Sequence, residues 1–216
     1  MKKAKPLNLS FRATPWPGPR DHLFKEDSNW WHNARLDLGG KGWESYAVGY
    51  KSAADLLARR FLDDWQGNDN LTYPMVFLYR HYLELRLKQV IMLGQKLIAA
   101  PIARKKVSEN HSLDELWKPC REILEKLGES GFWPTDPTQK LDNVGNLIAE
   151  FHSKDRVAEN FRYPVTKKSK GGQGGQPTLP HLDSMGVRNL YKVMQRLDSF
   201  FVAQIAGIDF HLQQKE

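Results

Sequence analysis

One apolar stretch of the chain carries four side chains whose types and spacing could do chemistry. The segment 73–88 is mostly aliphatic and aromatic, and it contains Arg80, His81, Glu84 and Lys88. In a helix, a spacing of four residues puts Arg80, Glu84 and Lys88 on one stripe, with His81 beside it. Charges among apolar residues cost free energy unless they are paired. The stripe is therefore either a buried ion-pair network or part of an active site.

Two residues further along the chain are also candidates for chemistry. His111 stands directly before a helix start, where it can act as a general base or fix the entry of the helix. Arg162 lies in the segment 160–165, which a proline keeps extended. Its guanidinium can pair with the carboxylate of Glu84, forming a structural network with Arg80, or it can bind phosphate.

The net charge favours a polyanionic partner such as RNA. The 216 residues include 32 basic and 25 acidic ones, which gives a formal net charge of +7. Lys167 and Lys168 open a basic, Gly-rich loop that is expected to be flexible, and they are either phosphate contacts or solvated loop residues. The excess of positive charge is modest, and ordinary solubility explains it equally well.

Several classes of protein are excluded by what the sequence lacks. Cys120 is the single cysteine, so neither an internal disulfide nor a zinc site of several thiolates can form. The sequence has no Gly-rich phosphate loop ending in Gly-Lys-Ser/Thr, no His-Glu-x-x-His and no Gly-x-Ser-x-Gly. We therefore expect neither a metal nor a cofactor. Without a signal peptide or a long apolar run, we expect a cytoplasmic protein with no membrane contact.

The hydrophobic periodicity predicts an all-α fold. Five helices are expected, at about 44–65, 73–100, 112–128, 138–153 and from 183 to 207 or beyond. The third begins with a capping box from Ser112 to Glu115, and Pro119 inside it predicts a kink or a break. No segment has the sustained alternation of a strand. We predict a bundle of about five helices over residues 44–210.

Residues 1–43 are expected to form an irregular, aromatic-rich N-terminal arm. The run Pro15-Trp16-Pro17-Gly18-Pro19 is incompatible with a helix or a central strand. Trp30, Trp31 and Trp43 add bulky rings to the same region. Such an arm packs either against its own bundle or against a partner protein.

Three motifs occur in an order that resembles a bacterial branch of the HEPN superfamily. They are Tyr79-Arg-His-Tyr-Leu-Glu-Leu-Arg-Leu-Lys88, His111-Ser-Leu-Asp-Glu-Leu-Trp117 and Glu159-Asn-Phe-Arg-Tyr-Pro164. The resemblance covers about residues 45–205. It implies a compact, usually homodimeric helical bundle. Members of the superfamily are either metal-independent endoribonucleases of toxin–antitoxin and antiviral defence systems or non-catalytic binding modules.

The resemblance also implies roles for individual residues. Catalytic members carry an Arg followed, after four to six residues, by a His that deprotonates the ribose 2′-OH. Here His81 follows Arg80 at once. Arg104 and His111 have the required separation, but they span a segment that reads as a loop rather than a helix. The candidates for the base are therefore His81 and His111.

The remaining cations would then hold the attacked phosphate. The resemblance implies this role for Arg80 and Arg162, and the positive charges that would support them are Lys88, Lys167 and Lys168.

Three functions stay open at this point. The first is an RNA-binding defence or toxin protein, with metal-independent ribonuclease activity. The second is a non-catalytic, dimerising module of a multi-protein defence complex, favoured by the departure from the Arg–His pattern. The third is a neutralising partner of a nucleotidyltransferase.

Overall fold

The chain divides into two units, residues 1–40 and 41–216. The structure is a computed structural model, and it describes residues 18–36, 42–98, 101–133, 136–166 and 175–214. The described part of the first unit has one short 3-10 turn at Trp30–His32. The Asp27 carboxylate lies beside this turn, accepting a hydrogen bond from the backbone N–H of Asn29 at 2.8 Å.

The described part of the second unit is made of six α-helices and contains no strand, so the predicted all-α bundle is confirmed. The bounds are α1 Trp43–Asp63, α2 Thr72–Gly94, α3 Arg104–Glu109, α4 Leu113–Glu129, α5 Thr138–Lys154 and α6 Val187–Gln213. Short 3-10 turns at Asp69–Leu71 and Gln95–Leu97 flank α2, and an isolated β-bridge joins Val165 to Pro177.

The sequence predicted five helices, and α3 is the additional one. Its residues were expected to form a loop. Its six residues contain a single buried apolar side chain, Val107, so there is no periodicity for a sequence pattern to reveal. The helix begins at Arg104 and ends two residues before His111. The basic residues that precede His111 therefore lie on a helical turn.

The sequence predicted a kink or a break at Pro119, and α4 continues through this residue without a break. Leu116, Cys120 and Ile123 are all buried on its inner face. Their packing outweighs the roughly 3 kcal/mol that an interior proline costs a helix. The capping box is confirmed in part, because the Ser112 hydroxyl accepts from the backbone N–H of Glu115 at 3.3 Å.

The second helix is the central element of the bundle. It contacts α1, α3, α4 and α6, and 15 of its 23 residues are buried. A helix that is covered on nearly every side has no wet face for its charged residues. Every ionisable side chain in its middle therefore has to find a partner inside the protein.

Candidate functional site

The Glu84 carboxylate is the centre of a buried polar cluster on α2. Only 1% of the residue is exposed. Its Oε2 accepts from Nη1 of Arg80 at 3.0 Å, and its Oε1 accepts from Nζ of Lys88 at 2.8 Å. Both partners are one helical turn away, on the stripe that the sequence indicated. Two charged donors thus hold the carboxylate in one orientation.

His111 completes the coordination of this carboxylate from the surface. Its Nδ1 lies 2.9 Å from Oε1 of Glu84, while 61% of its side chain is exposed. This is the imidazole's one hydrogen bond within the described part of the chain, so Nε2 is left available to a ligand. The sequence named His111 as a candidate but gave no reason to join it to Glu84.

The charge state of Glu84 sets the tautomer of His111. Burial by itself raises the pKa of the Glu84 carboxyl, but hydrogen bonds and charge from Lys88 and then His111 outweigh it, so the net pKa lies below the ordinary value of 4.5. An ionised carboxylate can only accept, so Nδ1 of His111 carries the proton and donates it. The lone pair of a neutral imidazole then sits on Nε2, where it can take up a proton.

Arg80 joins three parts of the bundle instead of facing a ligand. Besides Glu84, its Nη2 donates to the backbone carbonyl of His111 at 2.6 Å and its Nε donates to that of Asp155 at 3.1 Å. It is 1% exposed. Arg80 therefore positions His111, and the expected phosphate contact through its guanidinium does not match this burial.

Lys88 is used in the same way. It is buried, and besides Glu84 its ammonium donates to the backbone carbonyl of Ser108 at 2.9 Å. This bond ties the end of α3 to the central helix. Like Arg80, Lys88 is enclosed by protein, so its expected phosphate-binding role does not fit its surroundings.

His81 lies outside the carboxylate cluster. Its ring packs edge-on against Tyr50 with centroids 4.4 Å apart, and it stacks on Phe77 at 6.1 Å. Burial lowers its pKa, which favours the neutral imidazole. Of the two candidate bases, the structure brings His111 and not His81 to Glu84.

Arg162 is exposed and does not reach Glu84, so the predicted Glu84–Arg80–Arg162 network forms without it. Its guanidinium lies over two rings, with Cζ 5.5 Å from the centroid of Phe77 and 5.3 Å from that of Tyr163. These cation–π contacts leave donors on the guanidinium edge. Arg162 therefore keeps its predicted capacity to bind a phosphate.

Asp155 anchors the loop that carries Arg162, a role that sequence reasoning missed. Its Oδ1 accepts from the backbone N–H groups of Glu159 and Asn160 at 2.9 and 3.1 Å, and its Oδ2 lies 3.5 Å from Nε of Arg80. A carboxylate directly after a helix C-terminus is unfavourable for the helix dipole. That misplaced charge after α5 was the available signal.

A second buried polar network, also missed, joins α1, α2 and α6. The Lys51 ammonium lies 2.8 Å from Oδ2 of Asp55, whose other oxygen accepts from the Tyr79 hydroxyl at 2.7 Å. The Tyr82 hydroxyl donates to Asp198 at 2.6 Å. Burial, followed by these carboxylates, raises the pKa of both tyrosines.

The network also includes Glu44, Arg86, Gln89 and Gln195. Most of its polar atoms are paired with one another, which is typical of a structural network, and Nε of Arg86 is a buried exception without a hydrogen-bond partner among the residues that the structure describes.

The predicted phosphate-binding roles of Lys167 and Lys168 stay predictions, because both residues lie outside the described residues. Within the described part of the chain, no three His, Cys, Asp or Glu side chains are grouped closely enough to hold a metal ion. No described helix combines the length and the apolar character that crossing a bilayer requires.

The chain was compared with known protein families, curated proteins and solved structures. No family model, curated protein or solved structure matches this chain. The Glu84–His111 pair is therefore the feature from which a function has to be inferred.

Proposed function

We propose that this chain is an HEPN-like, metal-independent endoribonuclease in which His111 is the general base. The observation that supports this most is an exposed imidazole whose Nδ1 is bonded to a buried carboxylate, at 2.9 Å. A carboxylate in this position fixes the tautomer and the orientation of the ring, and it stabilises the imidazolium that forms during proton transfer.

The proposed reaction is transesterification within the RNA backbone. Nε2 of His111 takes the proton of a ribose 2′-OH as that oxygen attacks the adjacent phosphorus. The bond from phosphorus to the 5′-oxygen breaks, and the leaving oxygen receives a proton from the imidazolium or from water. The products are a 2′,3′-cyclic phosphate and a 5′-hydroxyl. Arg162 is the residue we assign to neutralising the phosphate.

The charge around His111 supports an anionic substrate. Arg104, Lys105 and Lys106 are exposed on α3, the helix that ends two residues before His111. These three cations are close to His111 in the sequence, and with Arg162 they are available to bind a sugar–phosphate chain. We place this activity in a defence or toxin system, as the resemblance implies, and in the cytoplasm, as the lack of a signal peptide in the sequence suggests.

A second candidate is a non-catalytic, dimerising interaction module. Its support is a set of large apolar side chains left exposed on α1, namely Tyr46, Val48 and Leu56. Large apolar side chains that stay exposed are candidates for contact with a partner protein. In this alternative the Glu84 cluster serves only to hold α2, α3 and α4 together.

The decisive test is cleavage of an RNA oligonucleotide in EDTA beside the matched oligonucleotide with 2′-deoxyribose at every position. The proposal requires cleavage of the RNA alone, with 2′,3′-cyclic phosphate ends. Cleavage of both oligonucleotides, or cleavage abolished by EDTA, would contradict the mechanism. No cleavage of any RNA would favour the interaction module.

A further inference from the structure

A cleft of about 650 Å³ in the second unit is lined by residues that the reaction proposed above does not use, apart from Arg162. It opens between the start of α2 and the segments 160–164 and 177–187. Its volume falls in the range of small-molecule sites, about 300–1,000 Å³. Arg162 is part of its lining, so the cleft lies next to the position assigned to the phosphate.

Four aromatic rings line the cleft, those of Phe61, Tyr73, Phe161 and Tyr163. Tyr73 is 53% exposed and Tyr163 is 45% exposed. Because Arg162 lies over one face of the Tyr163 ring, the Tyr73 ring is the more accessible of the two to a ligand. Exposed rings in a concave site are platforms on which nucleobases stack, and each stacked base adds substantially to affinity. The apolar component of the cleft thus suits the face of a base.

The charged side chains of the cleft suit the edge of a particular base. They are two carboxylates, Asp69 and Asp183, and one guanidinium, Arg162. The two carboxylates disfavour a phosphate beside them and favour a neutral group with N–H donors. Guanine carries two adjacent donors, N1–H and the 2-amino group, which match the two oxygens of one carboxylate. Adenine, cytosine and uracil lack that pair.

The wall that carries Tyr163 is held in place before any ligand arrives. The Thr178 hydroxyl lies 2.9 Å from the carbonyl oxygen of Asn160 and 2.7 Å from that of Tyr163. The backbone N–H of Thr178 donates to the carbonyl of Pro164 at 3.2 Å. A preformed wall reduces the ordering cost of binding, which is typical of a recognition site.

We propose that this cleft is a guanine-binding subsite. The guanine is that of an RNA substrate, which rests on the proposed ribonuclease function, or that of a free guanine nucleotide, which presents the same chemistry. Tyr73 and Glu84 are separated by 11 positions on α2, which is about 16 Å along the helix. A base in the cleft therefore lies within a few nucleotides of His111.

The test is calorimetric titration of the full chain with GMP, IMP, AMP, CMP and UMP. IMP differs from GMP only by the missing 2-amino group, so we expect GMP to bind most tightly and IMP more weakly. Tyr73→Ala should raise the Kd for GMP about tenfold or more. Trp65→Ala is the matched control, because this exposed ring is not part of the cleft. Asp69→Asn and Asp183→Asn probe the base edge without removing a ring.

Equal binding of all five nucleotides, or equal effects of Tyr73→Ala and Trp65→Ala, would overturn the inference. Binding of a guanine-containing RNA but not of GMP, still weakened by Tyr73→Ala, would support it and identify RNA as the source of the base.

Two further outcomes separate this inference from the proposed function. His111→Ala should slow cleavage at least about a hundredfold and leave GMP binding unchanged. RNA cleavage that needs His111 but shows no dependence on guanine would overturn the subsite while the ribonuclease stands. Guanine-selective binding by a chain that cleaves no RNA would support the subsite while the ribonuclease fails.

Discussion

Nδ1 of His111 lies 2.9 Å from Oε1 of Glu84, although the two residues are 27 positions apart. One is buried in the central helix and the other is mostly exposed at the start of α4. The pair therefore connects the most enclosed helix of the bundle to a reactive group at the surface. The stability of the bundle and the chemistry of the imidazole both depend on the same carboxylate.

Replacing Glu84 by Gln should destabilise the protein strongly. The change removes the negative charge between Arg80 and Lys88, both of which stay buried, so we expect a loss of about 3–5 kcal/mol in the free energy of unfolding. Urea denaturation followed by circular dichroism measures it. Glu125→Gln is the control, because Glu125 makes the same i,i+4 pairing with Arg121 at 2.8 Å but in an exposed setting. There the loss should be under about 1 kcal/mol. Similar losses for both variants would contradict the buried network.

The same carboxylate predicts how stability depends on pH. The pKa of Glu84 is lowered in the folded state, so its contribution is present above the unfolded value of about 4.5 and is lost as pH falls through the folded value. The urea midpoint of the wild type should therefore drop when the pH is lowered from 7 to below 4. Glu84→Gln should show a smaller drop, because its amide does not titrate. An equal drop in the two proteins would show that Glu84 does not contribute.

Two glycines on neighbouring helices should respond to alanine in opposite directions. A Cβ at Gly94 would lie 2.3 Å from Cγ2 of Ile123, at the contact between α2 and α4. Gly94→Ala should therefore cost about 1–3 kcal/mol through overpacking. A Cβ at the exposed Gly49 of α1 would meet no atom within 4 Å. Gly49→Ala should stabilise the protein by up to about 1 kcal/mol. Thermal denaturation of both variants would show whether α2 and α4 approach this closely.

Ala158 has φ of +62° in the loop that Asp155 anchors. A left-handed conformation costs a non-glycine residue about 1–2 kcal/mol, whereas glycine gives up roughly 0.4–1 kcal/mol of unfolded-state entropy. Ala158→Gly should therefore raise the free energy of unfolding slightly, and Ala158→Val should lower it. The opposite order in urea denaturation would mean that the loop does not adopt this backbone conformation.

Interactions between near neighbours in the sequence were the predictable part of this protein. The Arg80–Glu84–Lys88 stripe and the Ser112 cap follow from helical spacing alone, and both are present. The contact from Arg80 to Asp155 spans 75 positions, so no local pattern could reveal it. For the same reason the network around Asp198 was missed.

The predicted pairing of Glu84 with Arg162 was wrong, because the Arg162 guanidinium does not reach the Glu84 carboxylate. The loop turns at 160–162 and directs the guanidinium onto Phe77 and Tyr163, and His111 occupies the carboxylate instead. Arg162 and His111 are both basic, and both are distant from Glu84 in the sequence. Only the path of the backbone between the helices decides which of them contacts the buried carboxylate.

The most direct test of the account is RNA cleavage in EDTA by His111→Ala beside His81→Ala, each checked for folding by circular dichroism. His111→Ala should lose at least about a hundredfold in rate, because a positioned general base contributes about 10²–10⁴-fold. His81→Ala should retain most of the activity, because His81 packs against Tyr50 and Phe77 instead of Glu84. A folded His111→Ala protein that cleaves RNA at the wild-type rate would contradict the assignment of His111 as the base.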